Sequence, residues 1–450
     1  MKKVIFGETD GVRAAVGQSI LTPEKIRIFG EAVRACGYGE VTVLFGRDTR
    51  ESGEWIVEGL KSAFDDDRVI DCGILTTPAL AKIMAEYNNS IAFMVTASHN
   101  PASDNGVKIF EGGTKISDEK EAQIEKSYFD LKEKGLEGTL EASEAKTEAA
   151  EYISDFAGKY AEIASEAPET AKFELGQVKI VLDAACGAGH DFSRTVFEKF
   201  GVEVEQIDSA PNGQNINDGF GALYPQKMAA RAAELGVPGV ALDGDADRIV
   251  LADESGRIWN GDRITILLAE YLKERGLLAG DGVVLTEYSN LATVKYLESK
   301  GIKVLKVLNG DKAVSQCSVQ NGLILGGELA GHILYQPWLD SSDGTFMALF
   351  VLKILREKGA KLADLWADFV ENPSYQVAVK VREKKPLEDL PEWSAACERI
   401  ANEIGADGRI MTRYSGTENK LRIYVEYKDA VTAQKYGDEL AAVAEKEINQ

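Results

Sequence analysis

Long apolar runs are missing from this chain of 450 residues. Nowhere do about 18 apolar residues follow one another, so no membrane-spanning helix is expected. The start, MKKVIFGETDGVR, has two lysines and only a short β-like run before polar residues. A secretory leader needs an apolar stretch of roughly 7–15 residues, so none is expected. Cysteine is scarce: Cys36, Cys72, Cys186, Cys317 and Cys397 are scattered, odd in number and without CxxC spacing. That pattern excludes a disulfide frame and a zinc site and fits a reducing cytoplasm. Positive charge is also short, with 51 Lys and Arg against 73 Asp and Glu and a formal net charge of −22. A phosphate-rich polymer is repelled by such a surface, which excludes nucleic acid as a partner. A small phosphorylated ligand is still admitted where cations gather locally.

What is present is an α/β pattern too long for one core, since domains usually hold roughly 100–200 residues. Strand-like runs occur at 41–48, 68–75, 91–98, 178–185, 202–208, 239–245, 282–289, 303–309 and 322–328, alternating with helix-like segments at 22–36, 51–64, 191–200, 225–235 and 262–275. Such alternation predicts layers built on parallel strands. Residues 119–172, rich in Ala, Glu and Lys, predict a long helical connection, and near 372 the order changes to a small α+β unit.

Four loops stand out, and in open α/β sheets ligands bind beyond the carboxyl ends of strands. Thr96-Ala97-Ser98-His99-Asn100-Pro101 puts a serine at a strand end. Most Ser-His loops are ordinary connections, a serine hydroxyl needs a base or a metal to act as a nucleophile, and the G-x-S-x-G elbow of a serine hydrolase is absent. Asp243-Gly244-Asp245-Ala246-Asp247-Arg248 sets alternating carboxylates between apolar runs. Three acidic groups so close repel one another unless a hard cation neutralises them. An EF-hand reading meets Glu254 at the twelfth position but Arg248 where that loop needs Gly, which favours Mg²⁺ over Ca²⁺. Gly326-Gly327-Glu328-Leu329-Ala330-Gly331-His332 is either a flexible hairpin or a ligand-binding turn, with Glu328 able to accept from sugar hydroxyls. Arg413-Tyr414-Ser415-Gly416-Thr417-Glu418-Asn419-Lys420-Leu421-Arg422 holds the parts of a phosphate cradle. Arg13, Arg47 and Lys108 are further loop cations. Together these loops supply what phosphoryl transfer needs: a nucleophile, a metal site and cations that position phosphate.

TASHNP, DGDADR, GGELAGH and RYSGTENKLR, in this order and spacing, resemble the α-D-phosphohexomutase superfamily across nearly the whole chain. FGETDGVR, GRDTRESG, SHNPASDNGVKIF, PNGQNINDGFGALYPQ, YSNLA and NGDKAV are most similar to its bacterial phosphoglucosamine mutase branch. The resemblance implies three α/β domains of similar type plus a C-terminal α+β domain around a central cleft, here 1–150, 151–253, 254–371 and 372–450. It implies a cytoplasmic isomerase, monomer or homodimer, that interconverts glucosamine 6-phosphate and glucosamine 1-phosphate through a phosphoserine and a bound sugar bisphosphate. Phosphoglucomutase or phosphomannomutase activity on neutral hexose phosphates is the alternative. By the same resemblance Ser98 carries phosphate and Mg²⁺ is held by Ser98, Asp243, Asp245 and Asp247. Arg13, His99 and Lys108 serve the chemistry beside Ser98. Arg248, Glu328, His332, Arg413, Ser415, Gly416, Thr417 and Arg422 bind substrate, and the C-terminal domain acts as a lid. The chain departs from the family pattern at Ala330, where a serine is usual, at Asn419, where a proline is usual, around Tyr224, where a histidine is common, and by one extra residue in FGETDGVR.

Overall fold

The computed structural model describes residues 5–7, 11–64, 67–134, 155–167, 178–207, 210–365, 369–415 and 419–449. Two compact units result: Met1–Glu287 with Leu305–Leu365, and Tyr288–Val304 with Trp366–Gln450.

The first sheet contains β1 (Val12–Ala15), β2 (Thr42–Arg47), β3 (Arg68–Ile74), β4 (Ser90–Val95), β5 (Asp104–Glu111) and β6 (Thr114–Lys115) in the order β1-β5-β4-β2-β3, with β6 beside β5. The second contains β7 (Val178–Asp183), β8 (Val202–Gln206), β9 (Gly239–Leu242), β10 (Ile249–Ala252) and β11 (Ile258–Trp259) in the order β11-β10-β9-β7-β8. The third contains β12 (Gly282–Thr286), β13 (Lys303–Val307), β14 (Leu325–Gly327), β15 (Ile333–Tyr335) and β16 (Leu339–Ser342) in the order β13-β12-β14-β15-β16. Leaving aside β1 at the edge of the first sheet, one plan recurs: β2, β7 and β12 each lie between the next two strands in sequence, the second of these runs parallel to it, and an antiparallel strand follows on the far side. The second sheet continues through β11 to Trp259.

Local chemistry explains the element ends. Thr22 and Thr76 cap the helices Pro23–Arg34 and Thr77–Met84, each with a proline in the first turn, and Asn260 caps Gly261–Glu274. Gly236, Gly322 and Gly359 end three other helices in the left-handed conformation. Under the first sheet Phe45 and Phe93 stack at 5.2 Å and Phe64 meets both. Full burial of each such ring contributes about 1.5–3 kcal/mol. Within 119–172 two helices appear, Asp118–Glu133 and Phe156–Glu166, and the rest of that expected connection lies outside the described residues.

In the second unit, β17 (Ser374–Lys380), β18 (Gly408–Tyr414) and β19 (Lys420–Tyr427) form an antiparallel sheet in the order β17-β19-β18. The helices Pro391–Ile404 and Ala430–Asn449 bury Trp393, Ile400, Tyr436 and Leu440 in a core shared with Leu421, Ile423 and Val425 of β19. The α+β character expected after residue 372 is what forms. Among the described residues no helix is long and apolar enough to cross a membrane.

Candidate active site

Ser98 stands three residues beyond the end of β4 with φ of 50°, a left-handed conformation that non-glycine residues rarely adopt. Such conformations persist where surrounding bonds hold them. Here Thr96 Oγ1 accepts from the Ser98 amide at 2.9 Å and itself donates to Asp48 Oδ2 at 2.7 Å. Ser98 Oγ donates to Asp243 Oδ2 at 2.8 Å and lies 3.3 Å from His99 Nδ1.

Asp243, Asp245 and Asp247 occupy the turn between β9 and β10, and all three are buried. One oxygen from each lies within 4.8 Å of the others. Strands flank this turn on both sides, so the helices of an EF-hand are absent. Lys108, on β5, donates to Asp245 Oδ2 at 2.6 Å and Asp247 Oδ2 at 2.8 Å. Thr77 Oγ1 donates to Asp245 Oδ2 at 2.5 Å. The second oxygens, Asp245 Oδ1 and Asp247 Oδ1, are buried without a hydrogen-bond partner, though His332 Nδ1 lies 3.6 Å from Asp247 Oδ1. Unsatisfied buried carboxylate oxygens are rare because they forfeit hydration. Three carboxylates with free lone pairs facing a serine hydroxyl therefore fit a hard divalent cation.

Charge at the site follows from burial and neighbours. Burial, with Asp247 and Asp245 nearby, pushes the Asp243 carboxyl up to about 8. Burial opposes ionisation of Asp247 too, but the Lys108 and Arg248 charges hold it well below the usual carboxylate range. The Lys108 ammonium is desolvated, yet Asp245 and Asp247 raise it above its ordinary value, so it stays charged. Burial, with Arg248 and Arg13 beside it, lowers His99 to about 3, leaving a neutral imidazole. Arg13, on β1, is partly buried with its Nε unpartnered.

Arg248 and Glu328 come to the same unit. The Arg248 amide donates to Asp243 Oδ1 at 3.1 Å, and its Nε donates to His332 Nε2 at 2.9 Å. His332 Nδ1 pairs with Ser342 Oγ at 2.8 Å. Both ring nitrogens of His332 are thus occupied, and burial lowers the imidazole to about 3. His332 thus supports the Arg248 side chain. Glu328 is buried with Oε1 unpartnered, and burial, reinforced by Asp311, pushes its carboxyl up to about 7. Ala330, beside it, is exposed. The Ile249 amide donates to the Gly331 carbonyl at 3.0 Å, which ties the glutamate loop to the aspartate loop.

In the second unit Arg413 and Arg422 face each other directly across β18 and β19. Both are exposed, Arg413 lies 5.5 Å over the Tyr288 ring, and Ser415 is buried. Like charges opposite one another destabilise a strand pair, so this pairing suits an anion. Gly416 and Thr417 lie outside the described residues.

Several residues escaped the sequence reading. Arg47, singled out as a loop cation, pairs with Glu54 at 2.9 Å. It is Arg50, three residues on, that is fully buried against the serine loop. Thr77 and Asn217 were missed as well. Their polarity looked ordinary in sequence, and only tertiary placement distinguishes them.

A buried serine facing a carboxylate trio, with a charged lysine beside it, is an arrangement that could hold a metal ion next to a hydroxyl nucleophile. The comparisons are more specific. Phosphoglucomutase/phosphomannomutase models match at residues 3–135 (alpha/beta/alpha domain I), 260–372 (alpha/beta/alpha domain III) and 377–443 (C-terminal domain). The chain belongs to the phosphoglucomutase/phosphomannomutase family, the phosphohexomutases of the isomerase class. It is 35% identical to the phosphoglucosamine mutase of Bdellovibrio bacteriovorus over 460 aligned positions, covering 100% of this chain and 99% of that one. It is 38% identical to that of Chlamydia abortus, covering 94% and 93%. Among solved structures, a phosphoglucomutase/phosphomannomutase family protein from Burkholderia thailandensis shares the fold with a TM-score of 0.76 at 22% identity, covering 98% of this chain and 96% of that one. Aspergillus fumigatus N-acetylphosphoglucosamine mutase, in complex with GlcNAc-6P and magnesium, does so with a TM-score of 0.60 at 21% identity, covering 82% and 91%.

Proposed function

We propose that the protein interconverts glucosamine 6-phosphate and glucosamine 1-phosphate, with Ser98 as the phosphate carrier. The observation that carries this reading is the contact between Ser98 Oγ and Asp243 Oδ2 at 2.8 Å, beside two buried carboxylate oxygens that accept no hydrogen bond. The amino-sugar assignment draws on the full-length phosphoglucosamine mutase relatives. Phospho-Ser98 gives its phosphoryl group to the free 1-hydroxyl of the 6-phosphosugar: the new P–O bond forms as the Ser98 Oγ–P bond breaks, and the proton lost by the sugar hydroxyl ends on the departing Ser98 Oγ. The resulting bisphosphate turns end for end, and its 6-phosphoryl group returns to Ser98.

Asp243, Asp245, Asp247 and the seryl oxygen would hold Mg²⁺, which offsets the charge developing on the transferred phosphoryl group. Lys108, held charged by Asp245 and Asp247, adds a second fixed cation. Neutral His99 stands 3.3 Å from Ser98 Oγ, whose proton goes to Asp243. Glu328 accepts from sugar hydroxyls through its free Oε1. Arg413 and Arg422, with Ser415, Gly416 and Thr417, bind the phosphate that is not reacting. The same reading assigns one functional loop to each of the four segments 1–150, 151–253, 254–371 and 372–450. The five free cysteines support a cytoplasmic location.

The test is turnover with Mg²⁺ and glucose 1,6-bisphosphate as primer, comparing glucosamine 6-phosphate with the 6-phosphates of glucose and mannose. A clear preference in kcat/KM for the amino sugar is expected. Preference for a neutral sugar would move the enzyme to phosphoglucomutase or phosphomannomutase activity, and no turnover on any of them would contradict the mutase reading.

A further inference from the structure

Two motifs that carry the family resemblance, GRDTRESG and PNGQNINDGF, lie outside the chemistry described so far, yet both end on the serine loop. Arg50, completely buried, fans its guanidinium over backbone carbonyls of that loop. Its terminal nitrogens donate to Ser98 O at 3.0 Å, Asn100 O at 2.8 Å and Asp104 O at 2.9 Å, and also to Pro101 O. Its Nε pairs with Asp48 at 3.0 Å, and the other bond to that carboxylate oxygen comes from Thr96 in the same loop. From the second sheet's side, Asn217 Nδ2 donates to Ser98 O at 2.8 Å and Asn100 O at 3.1 Å. The same two carbonyls are thus held from both sides by residues of different sheets.

The consequence is at Gly244, between two of the aspartates. A Cβ placed there would lie 2.5 Å from Ser98 O and 2.9 Å from Asn217 Nδ2. The aspartate loop therefore packs its bare backbone onto the hydrogen bond between Ser98 and Asn217. Asn217 is anchored in turn, with φ of 59° and its amide on Ala185 O at 2.9 Å. Further bonds join the two motifs: Glu51 N to Gly213 O at 3.1 Å and Gln214 Nε2 to Glu51 Oε2 at 3.0 Å.

We propose that Arg50 and Asn217 are positioning residues that fix the height of Ser98 above the aspartate trio, acting on the transfer step and not on sugar binding. The proposal rests on the mutase reading. Reaction rates respond steeply to such placement, a displacement of about 1 Å lowering them on the order of 10²-fold.

The experiment uses the full-length protein with Mg²⁺, glucosamine 6-phosphate and glucose 1,6-bisphosphate as primer. Asn217→Gly keeps the positive φ accessible while removing the amide donor. Arg50→Lys keeps the charge but exchanges a fork of five donors for one ammonium, and being buried it is the variant more exposed to misfolding. For Asn217→Gly, kcat is expected to fall about 10–100-fold with KM within about twofold of the parent and an unchanged melting temperature. Phosphate loading of Ser98 by the bisphosphate, followed by mass spectrometry, should slow by the same factor. Unchanged kcat, a loss matched by KM, or a loss matched by the unfolded fraction would each overturn the proposal. A parent protein that neither turns over nor loads Ser98 would instead defeat the mutase reading itself, and with it this inference.

Discussion

Two clusters of like charge distinguish this molecule, and they are built in opposite ways. Asp243, Asp245 and Asp247 are buried, and Lys108, Thr77, Ser98 and the Arg248 amide already meet much of their hydrogen-bonding capacity. Arg413 and Arg422, both exposed, oppose each other across β18 and β19, and among the described residues neither has a carboxylate partner. Burial accounts for the difference. Uncompensated charge in a low dielectric is expensive, so the acidic cluster must carry its own cation and donors and keeps only two oxygens free. Exposed guanidinium groups are hydrated, so they can wait for an anion without internal compensation. The first arrangement fixes geometry for chemistry. In the proposed mechanism the second captures a charged group with tolerance for its orientation, as an intermediate that must bind both ways round requires.

Three substitutions would break or sharpen that contrast. Asp245→Asn keeps shape but removes charge from a buried ligand that also holds Lys108 and Thr77. The rate should fall on the order of 10²-fold and the Mg²⁺ concentration for half-activation should rise, read from metal titrations of activity. An unchanged titration would contradict the shared role of the trio. Arg422→Ala should act more mildly and on a different parameter, raising KM about tenfold while kcat changes little. A fall in kcat with constant KM would mean that the exposed pair acts in the transition state as well. The smallest effect is expected for Glu328→Gln, measured as melting temperature against pH without metal or substrate. Glu328 has its folded value raised to about 7 from an ordinary 4.5, so the folded chain retains a proton that the unfolded chain releases. Its contribution is complete below about pH 4.5 and is lost as pH rises through about 7. Removing the ionisable group should flatten that decline and raise stability at neutral pH by a few degrees. An unaltered profile would show that Glu328 is not strained by its burial.

Parallel strands were easier to read in the sequence than antiparallel ones. All nine expected strands form, and most are continuous apolar or β-branched runs. β5 escaped notice because it opens with Asp104-Asn105-Gly106, turn residues by propensity, and carries Lys108 inside. β1, β15 and β16 are short and lean on neighbours for their register. Strand ends were placed too late at Ser98, Asp245 and Ser289, since polar loop residues directly follow apolar strands there. At the site, Ser98, the aspartate trio, Lys108 and Glu328 were singled out by the motifs that resemble the family, since a Ser-His loop or a loop lysine alone is ordinary. Arg50 and Asn217 were not, since their importance lies in backbone carbonyls brought from elsewhere in the chain, which side-chain patterns do not reveal.

The central claim is that Ser98 carries the phosphate, and the most direct measurement is phosphopeptide mass spectrometry after incubation with glucose 1,6-bisphosphate and Mg²⁺. Phosphate on Ser98 that is discharged when glucosamine 6-phosphate is added is the predicted result. Turnover with Ser98 unmodified throughout, or phosphate residing on another residue, would contradict it.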